Sequence, residues 1–227
     1  MGPEIKRKII KRIFLLFPLA IVVLGILFFV PAGSLKFWQA WVFCGVIIFP
    51  MLFVSIYFLK KAPEFLERRL MYREKEKEQQ LIIKFGSIFY FLLFLLPGLD
   101  FRFGWSQVPF WLVIASEAGI LFGYFFVFLA FKENAYAGRT VEIFEGQKVI
   151  ESGPYAKVRH PMYVGVLLMF LFIPTALGSF WALLAFIPVA ALIIYRIFNE
   201  EKVLSRDLAG YKEYMGKVKF RLMPGIW

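Results

Sequence analysis

MYVGVLLMFLFIPTALGSFWALLAFIPVAALIIY, residues 162–195, is the stretch on which the reading of the fold turns. It is almost wholly apolar. Gly178 divides it into two short runs, 162–177 and 179–195, with Pro174 and Pro188 inside them. Two apolar runs joined by a single glycine read as a tight helical hairpin. The polar segments before and after it, 132–159 and 196–227, then meet at its open end.

Four further apolar runs precede the hairpin, at 13–30, 37–59, 81–99 and 108–131. Their lengths approach the roughly 20 residues that a membrane-crossing helix needs. Prolines 18 and 50 interrupt two of them, which neighbouring helices in a bundle tolerate. The chain of 227 residues is 60% hydrophobic, with 29 Phe, and only 19% charged. A soluble domain could not cover that much apolar surface with so few polar groups. The expected fold is therefore all-α: a polytopic membrane bundle of about six membrane-embedded helices, the last two forming the hairpin. Two regions are expected, N-terminal transmembrane helices over 1–131 and a C-terminal functional region over 132–227. The opening KRKIIKR and the apolar run after it mimic a signal peptide, but the run is long for one and reads as a retained first span.

The charges test the count. Net charge is +11. With the N-terminus inside, 25 of the 27 cations fall in inner segments and only Lys36 and Arg102 lie outside. Six crossings with both ends in the cytoplasm obey the positive-inside bias; an odd number does not. Trp38, Trp41, Trp105, Trp111 and Trp181 gather near the outer interface, as an aromatic belt does. The cations thus answer to membrane orientation and anionic lipid, not nucleic acid. Residues 62–80 read as an interfacial connector helix of interleaved charge. Cys44 is the sole cysteine and His160 the sole histidine, so no metal cluster and no disulfide framework is expected. A soluble dinucleotide fold is not expected either, because neither GxGxxG after a strand nor GxxxxGK[ST] occurs.

Candidate chemistry lies on both flanks of the hairpin. In SGPYAKVRHPMYVG, residues 152–165, Gly153-Pro154 marks a turn and Pro161 suits the first helical position. His160 then stands at the helix N-terminus, where free N–H groups favour an anionic partner, and Arg159 adds a permanent charge. Both residues also suit plainer roles, as cap and interfacial anchor. In NEEKVLSRDLAGYKEY, residues 199–214, Glu200 lies four positions after Arg196 and on the same helix face, while Glu201 turns about 100° away. A carboxylate at this level can accept hydrogen bonds from ribose hydroxyls, or simply pair with Arg196 at the surface. Glu117, inside the fourth span, is far from these motifs and reads as a packing or protonated carboxyl. Gly119 and Gly123 permit a close helix contact.

Taken together, SGPYAKVRHPMYVG, an apolar hairpin and NEEKVLSRDLAGYKEY resemble the RHPxYxG…EE signature of the isoprenylcysteine carboxyl methyltransferase family, whose C-terminal region phospholipid N-methyltransferases share. KENAYAGRTVEIFEGQKVI (132–150) and VKFRLMPGIW (218–227) look like prokaryotic members of the broad family, and LPGLDFRFGWSQVP (96–109) adds to the likeness. The likeness covers under half of the chain. The combined motif specifies the superfamily better than the substrate.

The resemblance implies an integral membrane methyltransferase using S-adenosylmethionine and releasing S-adenosylhomocysteine. It implies a lipophilic acceptor, first of all a carboxylate such as that of isoprenylcysteine, with a phospholipid amine or small thiol as alternatives. Gln147, Lys148, Val149, Ile150, Tyr155, Arg159, His160, Pro161, Met162, Tyr163, Glu200 and Glu201 are the implied cofactor residues. Arg196 is the implied catalytic residue, engaging the acceptor carboxylate. Asn134 matches a recurrent asparagine without an assigned role. The family's upstream glutamine has no counterpart here; Thr140 stands near its place. Membrane lipids are expected partners, with no metal and no nucleic acid. An NADPH-dependent membrane reductase and a non-enzymatic scaffold are the competing classes.

Overall fold

The computed structural model describes residues 3–70, 76–138, 140 and 142–227. Among these are eight α-helices and no strand. Five are long and apolar enough to cross a membrane: α1 (Pro3–Ala32), α2 (Trp38–Lys61), α4 (Lys77–Phe103), α5 (Phe110–Glu133) and α7 (Leu183–Asp207). α6 (Pro161–Ala176) is apolar but has only 16 residues. At 1.5 Å per residue it spans about 24 Å, short of a hydrocarbon core of about 30 Å. α3 (Pro63–Arg69) and α8 (Tyr211–Lys217) are short. The molecule is a polytopic helical membrane bundle, with Phe14, Phe49, Phe110 and Trp111 among the large apolar side chains turned outward.

Glycines set the two closest helix crossings. A Cβ on Gly98 of α4 would lie 2.9 Å from the carbonyl of Phe28 in α1. Gly123 of α5 and Gly165 of α6 face each other: a Cβ on Gly123 would lie 2.7 Å from the Gly165 carbonyl. Of the expected Gly119–Gly123 pair, Gly119 instead receives the Phe172 ring. α4 in turn packs on α7. The 16-residue α6 thus lies along α5, and the hairpin's second arm lies along α4.

One end of the bundle gathers the segments that the charge count assigns to one side. Ile9 of α1, Phe58 of α2, Phe65 and Leu66 of α3, and Phe131 of α5 share a buried cluster there. The terminal residues 218–227 lie at this end too, since Phe220 and Arg221 bond the backbone of Arg159 and His160. At the opposite end Asp100 accepts hydrogen bonds from Ser106 and Ser179, tying α4 to the α6–α7 turn.

Two expectations are modified. The connector over 62–80 is not one helix: α3 stops at Arg69 and α4 begins at Lys77, with 71–75 outside the described residues. The last apolar run ends at Tyr195, but its helix does not. No glycine or proline interrupts 196–207, so α7 continues to Asp207 and breaks only before Gly210, whose φ is +84°.

Candidate functional site

The site forms where α7 outlasts its apolar run and the loop after α5 folds over it. Gly153 has φ +57°, and any Cβ there would meet the Glu133 carboxyl at the end of α5. Ser152 donates to that same carboxylate. The 3-10 turn Gly153–Ala156 is thereby held against α5, and it buries Tyr155. The Arg159 and His160 N–H groups then donate to the carbonyls of Phe220 and Arg221, each at 2.9 Å. Pro161 occupies the first position of α6, where its missing N–H costs nothing.

Beneath this corner lies a buried ion cluster. Glu201 accepts from Arg159 Nε at 2.6 Å and from Arg221 Nε at 2.9 Å, with His160 Nε2 at 3.2 Å. Arg159 Nη1 also donates to the carbonyls of Val218 and Lys219, at 2.7 and 2.9 Å. Arg159, His160 and Glu201 are all buried. Charges removed from water to this degree need such complete pairing. His160 makes no side-chain cap on α6; its ring serves Glu201 instead.

One turn away, Tyr163 stands between Arg196 and Glu200. Arg196 Nε donates to the Tyr163 hydroxyl at 2.9 Å, and that hydroxyl donates to Glu200 Oε2 at 2.7 Å. Among the described residues no donor is bonded to Glu200 Oε1.

A cavity of about 720 Å³ runs past these groups. Its polar mouth is lined by Gln147, Lys148, Val149, Ile150, Tyr155, Arg159, His160 and Glu200. Its apolar arm runs among the spans, past Tyr90 of α4, Tyr124 and Val127 of α5, Met162, Val166 and Met169 of α6, and Ile193 of α7. Tyr163 and Arg196 line the cavity as well. Eleven of the thirteen implied site residues therefore meet at one cavity. Pro161 and Glu201 do not line it: Pro161 starts the helix and Glu201 holds the corner from behind.

Other lining residues lie outside the implied set, although Tyr211 and Tyr214 fall within the 199–214 motif. Tyr211 and Tyr214 close the mouth from α8. The Tyr214 hydroxyl donates to the Tyr155 carbonyl at 2.8 Å, whereas that of Tyr211 is buried without a partner among the described residues. Burial raises the pKa of Tyr155, Tyr211 and Tyr214 above the usual phenol range; for Tyr155 a hydrogen bond with Asn134 pulls the other way. All three keep their protons at neutral pH. Asn134 thus has a place: it caps the turn after α5, accepting from Tyr136 N–H at 2.9 Å, and it touches Tyr155. Arg69 reaches the cavity from α3, over the Phe131 ring and donating to the Gly138 carbonyl at 2.8 Å. Thr140 also lines the mouth. Glu117 is remote from it, buried in α5, with neither oxygen bonded among the described residues. No group of three or more metal-ligating side chains occurs among the described residues.

Residues 111–209 match the phospholipid methyltransferase family model. The matched segment is a little under half of the chain. It begins in α5, ends just beyond α7, and so contains the first motif, the second as far as Ala209, and most of the cavity wall. No curated protein matches the chain. The family match and the five apolar spans together support an integral membrane methyltransferase, and such a family implies S-adenosylmethionine as methyl donor. The residues present fit that donor. The cavity is within the usual range for small-molecule sites, about 300–1,000 Å³. Among the described residues one Glu200 carboxylate oxygen is unspent and available to ribose hydroxyls, and the Tyr211 hydroxyl in the same wall has no partner. The match names the phospholipid branch, while the motifs resemble the isoprenylcysteine branch.

Proposed function

We propose that the chain transfers a methyl group from S-adenosylmethionine to a lipophilic acceptor that enters from the membrane, and that the acceptor group is a carboxylate. The observation that carries this reading is one cavity lined both by the polar residues of the two motifs and by apolar side chains of the spans, with Arg196 among them. In this reading the mouth faces the cytosol, where a water-soluble cofactor arrives, and the arm opens toward lipid.

S-adenosylmethionine, when bound, would supply a methyl group activated on a sulfonium, with S-adenosylhomocysteine as the leaving group. Glu200 accepts hydrogen bonds from the ribose hydroxyls. Gln147–Ile150, Tyr155 and the His160 corner enclose the rest of the cofactor. Arg196 holds the acceptor carboxylate, whose oxygen needs no general base. The apolar wall excludes water. Alignment of this kind supplies roughly 7–11 kcal/mol of barrier reduction.

Charge favours an anionic acceptor over an amine. Arg69, Lys148, Arg159 and Arg196 border the cavity against Glu142 and Glu200, so a carboxylate is attracted there and an ammonium repelled. The family's description favours the second reading, a phospholipid amine. Purified protein given labelled methyl donor and host lipid extract decides between them by the mass of the product. Calorimetry checks the cofactor: S-adenosylhomocysteine binds, and His160→Ala or Glu200→Ala weakens it at least tenfold, about 1.4 kcal/mol. A protein that ignores it and binds NADPH is a reductase.

A further inference from the structure

Arg196 and Glu200 are on α7, while Tyr163 is on α6, so the chain of hydrogen bonds Arg196 Nε to Tyr163 Oη to Glu200 Oε2 crosses between two helices. Each link has a direction. The guanidinium can only donate and the carboxylate can only accept. The phenol must therefore accept from Arg196 and donate to Glu200. Donation by a cation into the hydroxyl oxygen polarises the O–H bond and strengthens its hydrogen bond to the carboxylate. Tyr163 is buried, while Arg196 and Glu200 at the two ends of the chain are partly exposed along the cavity.

We propose that Tyr163 is a positioning residue that couples the acceptor arginine to the cofactor carboxylate, so that methyl donor and acceptor bind interdependently. With both links made, Glu200 is held by one oxygen and presents the other to the ribose. When an acceptor anion draws on Arg196, the first link loosens and the set of Glu200 changes with it. Reciprocity requires that cofactor binding alter acceptor affinity by the same factor. The inference rests on the cofactor reading above.

The test is a double-mutant cycle read by S-adenosylhomocysteine affinity on the full chain in one detergent, with no acceptor present. The four proteins are the parent, Arg196→Lys, Tyr163→Phe and the double variant. Lysine keeps the charge but lacks the guanidinium Nε that bonds the phenol. Arg196→Lys is expected to weaken binding about threefold to tenfold with Tyr163 in place, and to change nothing further in the Tyr163→Phe background. An Arg196→Lys protein that binds as the parent does overturns the proposal. So does an equal loss in both backgrounds, which is a direct field effect. If Tyr163→Phe does not fold, a cycle between Arg196→Gln and Glu200→Gln replaces it, with strict additivity as the overturning result. A parent protein that does not bind S-adenosylhomocysteine at all removes the cofactor reading itself; binding with an additive cycle removes only the coupling.

Discussion

Arg159 Nε and Glu201 Oε1 lie 2.6 Å apart, and this buried contact joins the start of α6 to α7 across 41 intervening residues' worth of fold, with the hairpin between them. Its neighbour Glu200 faces the cavity and Tyr163 instead. Two adjacent glutamates thus take different places, one in the buried ion cluster and one in the cavity wall.

Opposite phenotypes are expected from them. Glu201→Gln leaves Arg159 and Arg221 without a counter-charge in a buried place, at a cost of about 3–5 kcal/mol. Its thermal-unfolding midpoint in detergent should fall sharply. Glu200→Gln should keep the parent midpoint and bind S-adenosylhomocysteine about tenfold more weakly, roughly 1.4 kcal/mol. Exchange of the two outcomes would mean that the roles are reversed.

The α5–α6 crossing gives a second expectation. A Cβ at Gly123 would meet the Gly165 carbonyl at 2.7 Å and Met169 N at 3.1 Å. Backbone cannot yield as a flexible side chain does, so Gly123→Ala forces the helices apart and costs about 1–3 kcal/mol. Gly216 in α8 has nothing within 4 Å of its would-be Cβ. Gly216→Ala should not lower the unfolding midpoint, and a loss equal to that of Gly123→Ala would rule out close packing as the cause.

These contrasts mark what a sequence can and cannot disclose. The six apolar runs are plain because lipid selects composition along each helix separately. The break at Gly178 and the basic segments between the spans follow from the same local physics. Residues of both motifs are recognisable by type and spacing. Their division of labour is not: Glu200 and Glu201 differ only by about 100° of helix rotation, and which one meets Arg159 depends on how α6 and α7 are set. Arg221 joins Glu201 from a segment without periodicity. Arg69 reaches the cavity only because α3 turns under the loop after α5. Such contacts come from packing between elements, which no pattern within one element records.

Asp100 offers a way to separate fold from site. Its carboxylate accepts from Ser106 N–H and Oγ, both at 2.6 Å, and from the Ser179 hydroxyl. Asp100→Asn replaces one acceptor by an amide donor and leaves a buried hydroxyl unsatisfied, at about 1–3 kcal/mol. This latch is at the end of the bundle opposite the cavity. The unfolding midpoint should therefore drop while S-adenosylhomocysteine affinity stays within twofold of the parent. A tenfold loss of affinity would show that the two ends are mechanically linked.

Arg68 tests whether α3 holds the cavity's mouth in place. Its guanidinium sits 4.9 Å from the Phe144 ring centroid and 5.2 Å from that of Tyr136, and Nη1 donates to the Ala135 carbonyl at 2.9 Å. These contacts pin the loop that leads from α5 to Gln147, yet Arg68 itself does not line the cavity. Arg68→Ala removes a cation–π contact worth about 0.5–1 kcal/mol at a partly exposed site, together with its hydrogen bond. The bundle should unfold at nearly the parent temperature, because the spans are untouched. The loop around 134–147 should become more sensitive to limited proteolysis, and S-adenosylhomocysteine should bind about threefold to tenfold more weakly. Saturating ligand should restore the protection, since ligand that binds only the uncut, folded form draws the equilibrium back. Weaker binding without added proteolysis would instead place Arg68 in contact with the ligand, and unchanged binding with a cut loop would free the mouth from any dependence on α3.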